Sequence, residues 1–376
     1  MDKNQIFMIA GTDYPAMTKT LLTESGLAEQ IKDPDTRIVI KPNLVNASYA
    51  SEGATTHPKI VSGIVEYLKE HGFHHITLME SSWVGASTDE AFFLCGYADL
   101  CRTYDIPFVD IQKEKSFACD CAGLRLNLSR AVKDIDFLIN VPVLKGHCQT
   151  KITCALKNLK GLLPNPEKRR FHSMGLHKPI AHLNAAIRQD FIVADNICGD
   201  LDFEDGGNPV VMNRILAARD PVLIDAYVCH LMHYDISDVP YIEMAQALGV
   251  GSADISGADI RVCAGDCIQD IPVSRKVVEV EDIVSEVESC SACYGYLLPA
   301  LDRLKEQLEE RGEKMDLTTF RGNRVCIGQG YRGKSGELGV GNCTRLFRHH
   351  LDGCPPTEDQ IFLFLKEYID RESPGS

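Results

Sequence analysis

Two cysteines stand three apart in "ESCSACYGYLLPALDRL" (residues 288–304), at the start of what reads as an amphipathic helix. A CxxC brings two thiolates to one metal or cluster from a single turn. The helix that follows aims its positive end at their negative sulfur. Cys290 and Cys293 are joined downstream by Cys343 in "GNC" and Cys354 in "GCPP", with Cys326 in "RVCIGQGY" as a fifth candidate. The prolines after Cys354 remove backbone donors and stiffen the turn, and Thr357 is placed to cap a helix over "TEDQIFLFLKEYID". Glycines in "GQGYRGKSGELGVGN" would let backbone approach a cluster closely. Four such thiolates suit a [4Fe–4S] cluster or a structural zinc ion, and buried thiols without metal are the third reading. One CxxC, set against ten residues between Cys343 and Cys354, is unlike the paired knuckles of a zinc ribbon and favours the cluster.

A second chemistry-bearing stretch runs from Val141 to His182. Lys145, Lys151, Lys157, Lys160, Lys168, Arg169, Arg170 and Lys178 face one acid there, Glu167, and His147, His172, His177 and His182 lie among them. Lysines and histidines at strand ends suit a small anion: a carboxylate, a phosphate or an enolate-like intermediate. Lys145 and His147 in "LKGHCQTKIT" follow the strand-like "DFLINVPV", Lys41 and Asn43 end "IVIKPNLV", and Glu80 with Ser81 and Ser82 ends "LMESS". Asp195 and Asn196 lie in "IVADN", and "TTHP" puts His57 before a helix whose N-terminus favours anions. Lys145 and His147 are the expected catalytic pair, with His57 and Glu80 beside them. A lysine among cations can lose its proton near neutrality, and histidine titrates there anyway. Lys41, Asn43, Lys151, Lys157, His177 and Asp195 are the expected substrate contacts. The competing readings are ordinary: His57 as a helix cap, Lys41 and Asn43 as loop partners, and Lys168, Arg169 and Arg170 as a solvated loop.

The elements that must position these groups alternate. Strand-like runs ("QIFMIAG", "TRIVIKPNLV", "HHITLMESS", "PFVDI", "DFIVADNI") are interleaved with helical ones such as "HPKIVSGIVEYLKEHG" and "DEAFFLCGYADLCRTYD". This rhythm predicts an α/β fold: a mainly parallel sheet with helices on both faces and ligand groups at the strands' carboxyl ends. The pattern changes near residue 275. The expected division is an α/β domain over 1–275, with its basic His/Lys-rich cleft, and a small cysteine-rich iron–sulfur module over 276–376.

The chain has 376 residues, 44% apolar and 24% charged, with a net charge of −14. That balance suits a globular protein and excludes a generic nucleic-acid or anionic-membrane binder. No apolar run reaches the ~20 residues of a membrane span, and the start reads as a strand, so a cytoplasmic protein is expected. Fifteen cysteines without an export signal point to metal, redox work or burial, and an anaerobic cytoplasm tolerates them best. Cys95, Cys101, Cys229, Cys263 and Cys267 read as core. Cys119 and Cys121 point the same way along a strand, as a thiol pair or core neighbours, while Cys148, Cys154 and Cys198 lie near the basic stretch.

At "IVIKPNLV", "TTHP", "ES", "NVPVLKGH…TKITCALKNLKG", "GLH…IAHLN" and "RDPVLIDA" the chain resembles the domain-of-unknown-function 362 family, over roughly residues 35 to 250. Many members carry an iron–sulfur module, often a CxxCxxC run. Here a CxxC…C…GCPP tail stands in its place, and its Gly-Cys-Pro-Pro turn is similar to those that ligate cubane clusters in hydrogenase and respiratory iron–sulfur subunits. A more distant similarity in rhythm points to the nickel-dependent lactate racemase superfamily, without a motif that would carry over nickel. The expected function is a cytoplasmic iron–sulfur oxidoreductase acting on a small anionic substrate, with a redox partner such as a ferredoxin. The alternatives are a redox-neutral lyase, isomerase or racemase, an electron carrier, and a four-cysteine zinc protein.

Overall fold

The computed structural model describes residues 1–265, 269–274, 280 and 282–370. It divides into two compact units, one of Met1–Phe171 with Leu176–Val273 and one of His172–Gly175 with Ser274–Ser376.

In the first unit the strands are β1 (Gln5–Ala10), β2 (Ile38–Lys41), β3 (Ile76–Glu80), β4 (Phe108–Asp110), β5 (Ser116–Cys121), β6 (Leu124–Ser129), β7 (Phe137–Asn140), β8 (Lys145–His147), β9 (Lys151–Thr153), β10 (Phe191–Asp200), β11 (Pro209–Ala218) and β12 (Asp259–Ala264). The helices are α1 (Tyr14–Glu24), α2 (Pro58–Glu70), α3 (Thr88–Leu94), α4 (Tyr97–Tyr104), α5 (Ala155–Asn158), α6 (Asn165–Ser173), α7 (His177–Ala186), α8 (Pro221–Leu231) and α9 (Tyr241–Ala247). Eight strands form one sheet in the order β12-β1-β11-β10-β7-β2-β3-β4. All its pairings are parallel except the two made by β11.

The central strands explain the continuous apolar runs, since β2, β7 and β10 are buried at every residue. On one face Phe7, Ile40, Leu78, Ile139 and Val193 pack with Leu21 of α1, Ile64 of α2 and Leu100 of α4. On the other, α8 lies against β11 and its Tyr227 hydroxyl reaches Met8 at 3.6 Å. The stretch "DEAFFLCGYADLCRTYD", which reads as one helix, is two. Gly96 takes a left-handed conformation (φ 81°) that stops α3 and starts α4.

The second unit is a four-stranded sheet of β13 (Val284–Glu286), β14 (Val325–Ile327), β15 (Leu338–Val340) and β16 (His349–Leu351), in sequence order and parallel throughout. Helix α10 (Ser291–Glu310) connects β13 to β14, and α11 (Glu358–Asp370) follows β16. The two helices pack together, with Arg303 over the Phe362 ring at 4.0 Å and bonded to Asp359 at 2.7 Å. Parallel order puts the carboxyl ends of all four strands, and the loops that leave them, on one edge.

Candidate functional site

The loops after β13, β15 and β16 carry Cys290 with Cys293, Cys343, and Cys354. Cys290 precedes the first residue of α10, and the Tyr294 N–H donates to its carbonyl at 3.1 Å, so Cys293 lies in the first turn. The turn at Cys343 is tied to the turn at Cys354. Asn342 N–H donates to Gly353 O at 2.9 Å, and Gly353 N–H donates to Asn342 Oδ1 at 2.8 Å. Gly341 (φ 87°) and Gly353 (φ 148°) supply the backbone geometry those turns need, and a side chain at Gly353 would run into Pro356. The β14 loop closes against the first, with Gly330 N–H donating to Val287 O and Gln329 N–H to Glu288 O.

The four cysteines follow strands that end on the same edge of this sheet. Burial pushes the Cys293 thiol up, and Cys290, Cys354 and Cys343 push it further. The Arg332 guanidinium is hydrogen-bonded to Cys343 and feels Cys290 and Cys354, which raises its pKa. Thiols that oppose one another's ionisation can all become thiolates only around a positive charge. Cys326 stands apart on β14, where its neighbours are Tyr331 and Arg324 and its Sγ contacts Arg324 O at 3.6 Å. Among the described residues no group of three or more His, Cys, Asp or Glu side chains is placed to hold a metal ion. The chemistry of the four thiols, their origin on one sheet edge and the glycine turns between them fit a cubane cluster or a tetrahedral ion.

In the first unit the expected residues lie at the carboxyl ends of β2, β3 and β7 and in the β8–β9 hairpin. Lys41 Nζ pairs with Glu80 Oε2 at 2.5 Å, both inaccessible to solvent. Gly161 lies so close above that pair that a methyl group there would collide with Glu80 and Lys41, the steric reason for a glycine in "LKNLKG". Gly146 likewise lets the hairpin lie against the backbone of Leu201 and Asp202. Lys145 Nζ donates to Ala54 O (2.5 Å), Glu204 O (2.6 Å) and Asn43 Oδ1 (3.4 Å), which accept all three protons of its ammonium. Burial nonetheless pulls its pKa down to about 7.

His147 Nδ1 accepts from Gln149 and Thr150 N–H at 3.0 and 3.1 Å, so its proton belongs on Nε2, 2.9 Å from Glu204 Oε2. That contact has ion-pair distance but falls outside hydrogen-bond direction. Burial lowers the His147 pKa to about 3 and keeps the ring neutral, so the Glu204 carboxylate is answered by Lys157 Nζ at 2.6 Å. Asp205, beside Glu204, is pushed up to about 8 by burial and that neighbouring charge, and among the described residues its Oδ1 has no hydrogen-bond partner.

His57 caps α2, its Nδ1 accepting from Lys59 N–H at 3.2 Å, and burial lowers its pKa to about 4. The anion at that helix N-terminus is Asp195, whose Oδ2 accepts from His57 N–H at 2.7 Å and whose pKa burial raises to about 7. Lys151 lies opposite His147 in the hairpin. His177 is elsewhere, half-buried at the start of α7, its ring stacked on Tyr241 at 5.8 Å. Burial depresses its pKa.

Other expectations change. Lys168 is not in a solvated loop. It is buried on α6 with its pKa lowered by burial to about 7, and it donates to Ser81 O, Ser81 Oγ and Ser82 O. Arg169 and Arg170 are half-exposed. Cys95, Cys101 and Cys229 are buried and Cys263 is half-buried, while Cys267 lies outside the described residues. Cys121 is buried and Cys119 partly so.

Sequence reasoning missed Glu204 and Asp205. The run "DLDFEDGG" after β10 was their signal, with Asp200 carboxylate oxygens folding it by accepting from Asp202, Phe203 and Asn208 N–H. It also missed a buried amide chain. Asn43 Nδ2 donates to Asn158, Asn158 Nδ2 to Asn140, Asn140 Nδ2 to Gln189 and Gln189 Nε2 to Asn184, over 2.6–3.0 Å.

The family described as Domain of unknown function (DUF362) matches residues 38–230, which hold this network. The chain belongs to the DUF362 family. Residues 274–376, which carry Cys290, Cys293, Cys343 and Cys354, lie outside the matched span. A thylakoid-associated protein, sll1697, of Synechocystis sp. is 26% identical over 247 residues, covering 62% of this chain and 75% of that protein. Two solved structures match more loosely. A protein from Thermotoga maritima has TM-score 0.39 and 13% identity, covering 59% of this chain and 60% of its own. The lactate racemase apoprotein from Thermoanaerobacterium thermosaccharolyticum has TM-score 0.39 and 12% identity, covering 62% and 58%. Among the described residues no helix is long and apolar enough to cross a membrane.

Proposed function

We propose that this DUF362 protein is a cytoplasmic iron–sulfur oxidoreductase acting on a small anionic substrate. Cys290, Cys293, Cys343 and Cys354 would hold a [4Fe–4S] cluster, which supplies one-electron transfer when bound. The observation that supports this reading is the origin of all four cysteines at one edge of the parallel sheet, with the turns at Cys343 and Cys354 tied to each other by the Asn342–Gly353 hydrogen bonds.

The substrate end, in this reading, is the network of Lys145, His147, Lys157 and Glu204. An entering carboxylate or phosphate would compete with Glu204 for Lys157 Nζ and could accept the His147 Nε2 proton. Lys151, across the hairpin, adds positive charge. Lys145, with a pKa near 7, can exchange a proton at neutral pH, and His147 can hold one at Nε2. Asn43 orients this shell through its Oδ1 on Lys145, while Lys41 is paired with Glu80 and Asp195 accepts from the His57 N–H. His57 keeps its Nδ1 on the α2 backbone, and only its Nε2 would be free for proton transfer. His177 is assigned no step.

The test uses anaerobically purified protein, reduced with dithionite and mixed with a panel of small carboxylates and phosphate esters. Substrate-dependent reoxidation is expected, and Lys145→Met and His147→Gln should abolish it while keeping the visible absorbance. Equal reoxidation by both variants would contradict the assignment of this network.

A further inference from the structure

The loops that carry the cysteines also carry a concentration of positive charge, in a chain whose net charge is −14. Between Gly328 and Arg348 stand Arg332, Lys334, Arg345 and Arg348, all exposed, against the single acid Glu337. Glu337 lies 3.6 Å from Arg348, which leaves Arg332, Lys334 and Arg345 as the rim's excess charge. The packing of the two loops brings these residues together. Tyr331 meets Phe347 edge to face at 5.5 Å, Arg348 N–H donates to Gly336 O at 2.9 Å, and the Gly336 backbone lies on the Phe347 ring. Lys334 therefore stands beside the segment of Arg345 and Leu346. Leu346 is 56% exposed, an apolar side chain among cations. Cys354 itself is exposed. Glu288 and Asp352, both exposed, and Glu286, half-buried at the end of β13 with its carboxylate on Ser289 N–H, are acids on the remaining parts of this edge.

We infer that the rim formed by Arg332, Lys334, Arg345 and Leu346 docks a small acidic electron-transfer protein against the cysteine site. This rests on the cluster reading of those cysteines. The geometry is that of a transient redox contact: cations set the approach and orientation, one exposed apolar residue gives a dry centre, and an exposed ligand shortens the path for the electron. The step moves one electron from the partner's reduced centre to the oxidised cluster and makes or breaks no covalent bond. A second acidic protein of different redox state is the only co-reactant needed.

The test measures cluster reduction by stopped-flow in holoprotein whose iron content has first been confirmed. Two donors are compared: a reduced, acidic [2Fe–2S] ferredoxin, and a reduced viologen bearing a single sulfopropyl group, which has zero net charge in that state. The variants are Lys334→Glu/Arg345→Glu and Leu346→Ser, with Arg332 left in place because it touches Cys343. The charge-reversal variant should slow the ferredoxin reaction about tenfold or more at low salt and leave the viologen rate unchanged. Raising the salt should slow the wild-type ferredoxin reaction toward the variant's rate. Leu346→Ser should slow the ferredoxin reaction alone. Unchanged ferredoxin rates, or rates for both donors falling together, would overturn the docking face. Absence of iron would instead defeat the cluster reading on which it stands.

Discussion

Asn342 and Gly353 exchange hydrogen bonds in both directions, backbone to backbone at 2.9 Å and backbone to side chain at 2.8 Å. Residues separated in sequence by a whole strand are thereby locked together, and each is followed by a cysteine. Asn342→Ala removes one of the two bonds and should loosen the approach of Cys343 to Cys354. The expected result is faster loss of iron to a chelator at an unchanged fold, read by circular dichroism alongside the iron assay.

Cys326 stands outside the proposed ligand set. Cys343→Ser and Cys354→Ser should each lose most of the visible absorbance of anaerobic protein. Cys326→Ser, which alters a thiol facing Tyr331 and Arg324, should keep it.

The buried Lys41–Glu80 pair predicts an asymmetry in stability. Glu80→Ala strands an ammonium in the core and should cost about 3–5 kcal/mol, whereas Lys41→Met/Glu80→Leu should recover much of that. Urea unfolding of both variants checks this. A double variant no more stable than the single one would show that the pair contributes more than mutual neutralisation.

Asp205 predicts a pH dependence. Its pKa is raised to about 8 in the folded chain, from about 3.9 unfolded. Between those values the folded state holds a proton that the unfolded state has released, so its contribution is present at low pH and is lost as pH rises toward 8. Asp205→Asn should track wild type near pH 4 and become the more stable of the two above pH 8. Unfolding midpoints across that range measure it.

Much of this was legible beforehand, and the reasons are physical. The alternation of apolar runs yields the parallel sheet, and a parallel sheet must put Lys41, Glu80 and Asn140 on one edge. The spacings set Cys290, Cys293, Cys343 and Cys354 in turns and at a helix start, and that is where the structure has them, outside the strand interiors. Glu204 escaped because its loop acquires meaning only when Gly146 lets a hairpin from far upstream lie on it. Lys168 escaped because a basic run looks solvated until Ser81 and Ser82 are seen to supply its acceptors. His177 misled for the converse reason. It shares the basic stretch in sequence, but α7 turns it toward Tyr241.

Metal and sulfide analysis of protein purified without oxygen tests the central claim most directly. A brown protein with about four iron and four sulfide per chain, lost in Cys343→Ser, is the predicted result. Colourless protein holding about one zinc per chain would contradict it.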